Sequence, residues 1–369
     1  MRNLRLLSLL PLSLILASTS LADRIFTTDG ATIDDVTIVS EGLDEVEYKT
    51  SSGKSKKTIG SHEVLSIVFE KMPPQLDSAE AAIADELMLD AVNDLEEFLS
   101  RFADKPPRTY PWAVPYAMFR LVQVYQIAGD YPSVVTAADR VLASAADSRY
   151  AILAHLSKIE ALNLMGDAGQ LKAAVDAFSA FVAEKSLPAR WRLEAELRGV
   201  LFDPALKGSK RRDKLNDVVA AAGKDAPVVK NRALVAIGES FLNERNPGEA
   251  EKVFEKVVAD PKADDFTLAG AYTGLGDCLY QRAEKKKAEG EDTIEDFKSA
   301  ALAYMRVVVV YGDEIQYAPK AMFYAGRSFQ EMGSDEDERR AQQIYNKLIR
   351  NFPNSKSAKE AKSFRRRLN

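Results

Sequence analysis

The sequence predicts a mainly α-helical protein, in which an array of stacked helical hairpins follows a small β domain. In the clearest hairpin, residues 231–262, apolar or small residues on one helix face recur at offsets of three and four: Leu234, Ile237, Gly238 and Phe241. Asn246, Pro247 and Gly248 break this helix before a second helix begins. Two helices of this length cannot bury their apolar faces alone, so they need a similar hairpin on each side.

The second helix of this hairpin places a small, a large and a medium residue on one face before a terminal proline: Ala250, Phe254, Val257 and Pro261. Together the two helices resemble a tetratricopeptide repeat of roughly 34 residues. Gly238 and Ala250 carry little or no side chain, so the helices can approach closely. The resemblance implies a curved α-solenoid that binds protein or peptide partners, mainly through the first helix of each repeat.

Other segments repeat the pattern and extend the predicted array over residues 78–369. The stronger matches centre on Met118, Tyr125 and Ala138, on Tyr272, Gly276 and Tyr304, and on Met322, Gly326 and Tyr345. Residues 201–226 are the least regular, and we interpret them as a degenerate helix pair. We expect about six helix pairs, with an insertion at a hairpin loop near residues 285–296.

Residues 23–71 follow a different, two-residue period that predicts five short strands. The expected strands are 24–28, 33–40, 45–50, 56–59 and 64–69. Five strands in so short a segment predict a small, strongly bent β-barrel, similar in pattern to SH3-like and Sm-like barrels. Residues 72–77 are the expected linker, because Pro73 and Pro74 disfavour helix, and a helix should then run from Asp77 or Ser78 through Phe102.

Residues 1–22 have the three parts of a secretory signal peptide. Arg2 and Arg5 precede an apolar run over residues 6–17, and Ser20 and Ala22 frame a small-x-small cleavage site. The run is too short to span a bilayer, which needs about 20 apolar residues. We therefore expect an exported protein in the periplasm, without a transmembrane span after cleavage. Extracellular release, or tethering by an uncleaved N-terminal segment, is the alternative.

Composition limits the functions that the chain can have. The formal net charge of −5 does not fit general nucleic-acid binding, which usually shows a basic balance. The single cysteine, Cys278, cannot form an intrachain disulfide and is interpreted as a core thiol, with a redox or nucleophilic role as the alternative. The basic C-terminal residues Lys359 to Arg367 favour a helix end or, alternatively, contact an anionic partner.

The sequence predicts no catalytic, cofactor-binding or metal-binding residues. His62 and His155 fall in different predicted domains, and His155 is expected to take part in packing. The HExxH, GxSxG, P-loop and CxxC patterns do not occur. Aspartate and glutamate alone can still catalyse, so the alternative to a binding protein is a carbohydrate- or peptidoglycan-processing enzyme, or an accessory subunit, that uses carboxylates.

Counting outward from the packing positions gives candidate partner-binding residues on the first helices. They are Phe119, Gln123, Arg232, Glu239, Lys320, Phe323, Tyr324 and Arg327. Thr273, Asp277 and Gln281 are predicted for the same face. Phe323 and Tyr324 beside Lys320 and Arg327 would suit an extended peptide with an acidic group. Alternatively, the two aromatic rings pack against a neighbouring repeat.

The C-terminal segment is the part of the sequence that indicates a role in the cell envelope. Phe352, Pro353, Asn354 and Ser355, followed by Ala358 and Ala361, resemble repeats of bacterial outer-membrane assembly and Tol–Pal accessory proteins. The favoured function is thus a non-enzymatic exported scaffold or adaptor that binds a protein or peptide on the concave face, and an envelope-associated complex is its expected setting.

Overall fold

The structure, a computed structural model, describes residues 22–50, 53 and 55–366. The predicted signal peptide therefore lies outside the described residues, except for Ala22. Contacts divide the chain into two compact units, the first ending at Arg192 and the second beginning at Leu193. Unit 1 contains the strands and the earlier helices, and unit 2 contains the later helices.

Five strands open unit 1 at the expected positions. They are β1 (Asp23–Thr27), β2 (Thr32–Glu41), β3 (Glu45–Thr50), β4 (Lys56–Gly60) and β5 (Val64–Val68). All described pairings are antiparallel and follow the order β4-β3-β2-β1-β5. The core side chains are Ile25, Val36, Ile38 and Val46, which are at most 4% exposed.

The expected barrel is wrong, because the sheet is open. β4 and β5 are its two edges and do not pair with each other. Lys56, Lys57 and Thr58 on β4 are exposed, so this strand lacks the apolar side that a closed barrel would bury. Lysines on an edge strand also oppose pairing with another chain.

Fifteen helices follow in the described part of the chain, as seven consecutive pairs and a last helix. In unit 1 they are α1 (Pro74–Ala84), α2 (Met88–Phe102), α3 (Ala113–Ala128), α4 (Tyr131–Ser144), α5 (Tyr150–Met165) and α6 (Ala168–Glu184). Helix α7 (Ala189–Phe202) contains the division between the units. Unit 2 continues with α8 (Gly208–Ala222), α9 (Pro227–Asn243), α10 (Pro247–Val258), α11 (Asp265–Ala288), α12 (Ile294–Val310), α13 (Ala318–Met332), α14 (Asp335–Asn351) and α15 (Lys356–Arg365).

Two predicted boundaries differ from the structure. Helix α1 already begins at Pro74, because proline fits the first position of a helix, where its missing N–H is not needed. The single helix expected through Phe102 is two helices, separated at residues 85–87, where Glu86 has a φ of 61°. The expected insertion is partly a longer α11, whose last turn carries Lys285, Lys286 and Lys287, which suit the negative end of the helix dipole.

Close packing of glycine against aromatic rings holds the hairpins of unit 2 together. A Cβ atom added to Gly238 on α9 would lie 2.5 Å from the ring of Phe254 on α10, and one on Gly276 would lie 2.6 Å from the ring of Tyr304. Phe254, Tyr304 and Ala250 are fully buried. The close approach predicted for Gly238 is therefore confirmed, and each ring fills the space that a glycine leaves open.

Candidate functional site

A buried polar cluster joins the sheet to α5 within unit 1. Arg149 Nη1 lies 3.2 Å from Glu41 Oε2, and the Tyr150 hydroxyl donates to the same oxygen at 2.9 Å. Arg149 also donates to the Val64 carbonyl at 3.0 Å. Loss of solvent raises the pKa of Glu41, against the opposing effects of Arg149 and Tyr150. Because these groups bond to one another, the cluster fixes the sheet to the helices.

The candidate residues of unit 2 meet on what we call the α9–α11–α13 face, formed by the first helices of three successive hairpins. Lys320 on α13 donates to Asp277 on α11 at 2.5 Å, and the Tyr304 hydroxyl donates to the other Asp277 oxygen at 2.8 Å. Gln281 on α11 donates to the Leu242 carbonyl on α9 at 3.3 Å. Lys320 and Asp277, predicted separately on α13 and α11, are therefore in contact, and Gln281 links α11 to the backbone of α9.

The aromatic part of the predicted patch is largely internal. Phe323 is only 4% exposed, and its ring lies 5.2 Å from Tyr324 and 5.5 Å from Phe364. The expectation that Phe323 is exposed is wrong, because α15 and the neighbouring rings cover it. Tyr324 is half-buried, with its ring 5.2 Å from that of Tyr280.

The two cations of that patch already have partners. Lys320 pairs with Asp277, as described above. Arg327 lies 3.0 Å from Glu331 and over the Phe364 ring at 4.3 Å. An acidic ligand would have to compete with both carboxylates, so the predicted acidic-peptide site is weakened.

The candidates on earlier helices also make internal contacts. Phe119 is 7% exposed and stacks on Tyr150 at 5.4 Å, so its expected exposure is wrong. Gln123 is half-buried and accepts a hydrogen bond from Arg120 at 2.8 Å. Arg232 lies 3.1 Å from Glu194 and over the Phe266 ring at 4.9 Å.

Glu239 on α9 differs from these residues. It is exposed to solvent, and no hydrogen bond or ion pair from a described residue reaches its carboxylate. The surrounding protein nevertheless removes enough water to raise its pKa, and Asp277 adds to that rise while Lys320 and Arg211 oppose it.

The remaining titratable candidates take part in packing. Cys278 is fully buried, and desolvation raises the pKa of its thiol to about 12. His155 is 7% exposed, and desolvation lowers its pKa to about 4. Within residues 22–50 and 55–366, no cluster of three or more His, Cys, Asp or Glu residues is arranged to hold a metal ion.

Sequence reasoning missed two residues that complete the face. Tyr304 lies on a second helix and was assigned to packing, yet its hydroxyl orients Asp277. Glu331 is bonded by Arg327 four residues earlier on α13, and the i,i+4 spacing was the available signal for this pair.

The model of one protein family, the tetratricopeptide repeat, matches residues 320–355, which cover most of α13 and all of α14. Residues 320–355 are therefore similar to a tetratricopeptide repeat. The other consecutive helices are also arranged as hairpins. Tetratricopeptide repeats are typically non-catalytic and mediate protein interactions. The predicted resemblance is confirmed at this repeat.

Solved structures of other repeat proteins are similar in general arrangement. A tetratricopeptide repeat protein from Parabacteroides merdae is 11% identical, covers 78% of this chain and 95% of its own, and has a TM-score of 0.44. The C-terminal part of a TPR repeat-containing protein from Cytophaga hutchinsonii is 12% identical, covers 78% and 98%, and has a TM-score of 0.36. At these scores neither supports a functional assignment.

No curated protein matches the sequence. Over the residues that the structure describes, no helix combines the length and the apolar character needed to cross a bilayer.

Proposed function

We propose that this chain is an exported, non-enzymatic scaffold that binds a protein or peptide partner on the α9–α11–α13 face of unit 2. The observation that carries the proposal is the tetratricopeptide repeat at residues 320–355, because its first helix, α13, contributes Lys320 to that face. Charged side chains lie on all three helices of this face, Glu239 on α9, Asp277 on α11 and Lys320 on α13, and Glu239 is exposed. Such a surface can offer several directed contacts to an extended chain.

Residues 1–22 support export, because they have the charged end, apolar run and cleavage site of a signal peptide. We place the protein in the periplasm within an envelope-associated complex, since residues 352–361 resemble repeats of envelope assembly proteins. Fractionation of cells that express the tagged full chain tests the location. Recovery in the periplasmic fraction with loss of residues 1–22 supports it, and recovery of the uncleaved chain in the cytoplasm contradicts it.

Partner recovery tests the binding face. A variant with Lys320→Ala and Arg327→Ala should recover less of any partner of the tagged protein, because both cations position the carboxylates of the face. The matched control changes Lys252 and Lys298, which are exposed on the second helices α10 and α12, to alanine. Circular dichroism must show that both variants are folded. Equal recovery by wild type and the first variant would remove this face as the binding site.

A further inference from the structure

The first two hairpins of unit 1 expose large apolar side chains at the turns between their helices. Leu87 and Leu89, where α1 joins α2, are 51% and 74% exposed, and Ile127, at the end of α3, is 40% exposed. Turn residues are usually polar, and a single exposed leucine would need no explanation. Three large apolar side chains at two consecutive turns do need one.

Side-chain contacts show that α1 and α3 run side by side in the same direction. The ring of Phe69, which precedes α1, lies 5.4 Å from the ring of Tyr116 on α3. Further along the chain, Glu80 Oε1 on α1 accepts from the Tyr116 hydroxyl and from Arg120 Nε, each at 2.6 Å. The contacts therefore advance together toward the C-terminal ends of both helices.

The exposed apolar residues consequently meet at one end of α1 and α3. Leu87 follows Glu80 by seven residues, and Ile127 follows Arg120 by seven. Because packed helices lie about 8–10 Å apart, the two turns are neighbours. We call Leu87, Leu89 and Ile127 the tip patch.

The charges next to the tip patch in these two hairpins are all negative. Residues 72–100 and 121–139 contain no lysine or arginine. Asp85, Glu86 and Asp90 are exposed, and no described residue bonds to their carboxylates. The surface therefore offers apolar contacts beside hydrogen-bond acceptors of one charge.

The stability of the α1–α2 turn does not account for its residues. Glu86 adopts a φ of 61°, a conformation that favours glycine or asparagine. Leu87 occupies the N-cap of α2 without a side-chain cap, where serine, threonine, aspartate or asparagine would stabilise the helix. Exposed residues that disfavour their own local structure are candidates for binding.

We infer that the tip patch docks a basic amphipathic helix of a protein partner. Lysine or arginine side chains of that helix pair with the three carboxylates, and its apolar side covers the tip patch. Turns 8–10 Å apart match apolar residues seven positions apart on one helix face, which are separated by about 10.5 Å. Alternate side chains of an extended strand are only about 7 Å apart and match less well. The patch consists of residues of unit 1, so the inference does not depend on the α9–α11–α13 face.

Matched helical peptides test the inference. Three fluorescent peptides of twenty-one residues, acetylated and amidated, are built on alanine. The first places leucines in one stripe at offsets of three, four and seven, with lysines beside the stripe. The second has glutamate in place of each lysine, and the third has the composition of the first without a stripe. In fluorescence polarisation, the full chain should bind the first peptide about tenfold more tightly than either of the others.

Substitutions assign this binding to the tip patch. Leu87→Ser combined with Leu89→Ser should weaken binding of the first peptide about tenfold, because the apolar contact is lost. Asp85→Asn, Glu86→Gln and Asp90→Asn together should weaken it by a similar factor, because the lysines lose their partners.

Each variant has a matched control outside the patch. Leu302→Ser with Val309→Ser changes two exposed apolar residues of α12. Asp225→Asn, Glu255→Gln and Glu291→Gln together change three exposed carboxylates of unit 2. Both controls should bind the first peptide like wild type. Thermal unfolding must show that all four variants are folded.

The inference is overturned if the first peptide binds no better than the second or third, if no peptide binds, or if the tip-patch variants bind like wild type. Another occupant also overturns it. Dimers in analytical ultracentrifugation that the leucine variant loses would identify a second copy, and sedimentation with phosphatidylcholine vesicles that this variant loses would identify a lipid surface. The proposed function is tested separately, because Lys320 and Arg327 are unchanged in every variant.

Discussion

At the scale of single residues, burial decides which side chains can change charge. His155 on α5 lies among aromatic rings, 5.5 Å from Phe178 and 4.9 Å from Phe181. Sequence reasoning assigned it to packing because its position falls within a predicted helix of the array, and the structure confirms this. The extent to which burial lowers the pKa of His155 could not be predicted from the sequence. It depends on the rings of Phe178 and Phe181 on α6, which pack against His155.

The first prediction concerns the pH dependence of stability at His155. Its pKa falls from 6.5 to about 4 on folding, so the unfolded chain binds more protons between these values. The contribution of neutral His155 to the free energy of unfolding should therefore be complete above pH 6.5. It should fall by up to about 3 kcal/mol as the pH drops to 4. Urea unfolding of wild type and His155→Leu across this range measures the contribution. In the variant the free energy of unfolding should change less steeply with pH than in wild type. Equal slopes against pH would contradict the account.

At the scale of elements, the contact between helices depends on glycines that face aromatic rings. Gly238 and Phe254 could be predicted from one hairpin, because both fall on the expected packing faces. The structure adds that Gly274, on α11 of the next hairpin, also meets the Phe254 ring. That contact joins residues of different hairpins, so no local spacing could reveal it. The same limit explains the error at Phe323, which α15 covers from outside its own hairpin.

The second prediction tests this close packing. Gly274→Ala should destabilise the protein by about 1–3 kcal/mol, because the added methyl group overlaps the Phe254 ring. Gly199→Ala is the matched control, since Gly199 lies in helix α7 with open space around it. The control should gain about 0.5–1 kcal/mol from its better helix propensity. Chemical denaturation measures both, and equal effects of the two substitutions would refute the packing argument.

The third prediction concerns the joint between the sheet and α5. Arg149→Met should cost about 3–5 kcal/mol, because it leaves the Glu41 carboxylate buried without its cation. Arg140→Met should cost less than about 1 kcal/mol, since the side chains of the Arg140–Glu96 pair are 36% and 45% exposed and water screens their attraction. Denaturant unfolding monitored by the fluorescence of Trp112 and Trp191, both in unit 1, compares the two. A similar small loss in both variants would show that the cluster does not hold the sheet.

At the scale of the whole molecule, the sequence predicted the fold class and the order of the elements correctly. It did not predict whether the five-stranded sheet closes into a barrel. Five strands followed by paired helices came from a change of period near residue 70. The barrel did not, because closure depends on how β4 and β5 meet, and the two-residue period that marks the strands does not fix that pairing. The exported location and the envelope partner stay predictions that rest on residues 1–22 and 352–361.

Photo-crosslinking in living cells tests the central claim, which is that the first helices of unit 2 bind a partner. A photoreactive amino acid replaces Asn243 or Tyr324 on the α9–α11–α13 face, and Glu255 or Ser299 on the second helices α10 and α12. The account predicts a crosslink to a discrete protein from both face positions and none from the two controls. Crosslinks confined to the controls, or absent from the face in cells that express the folded protein, would contradict it.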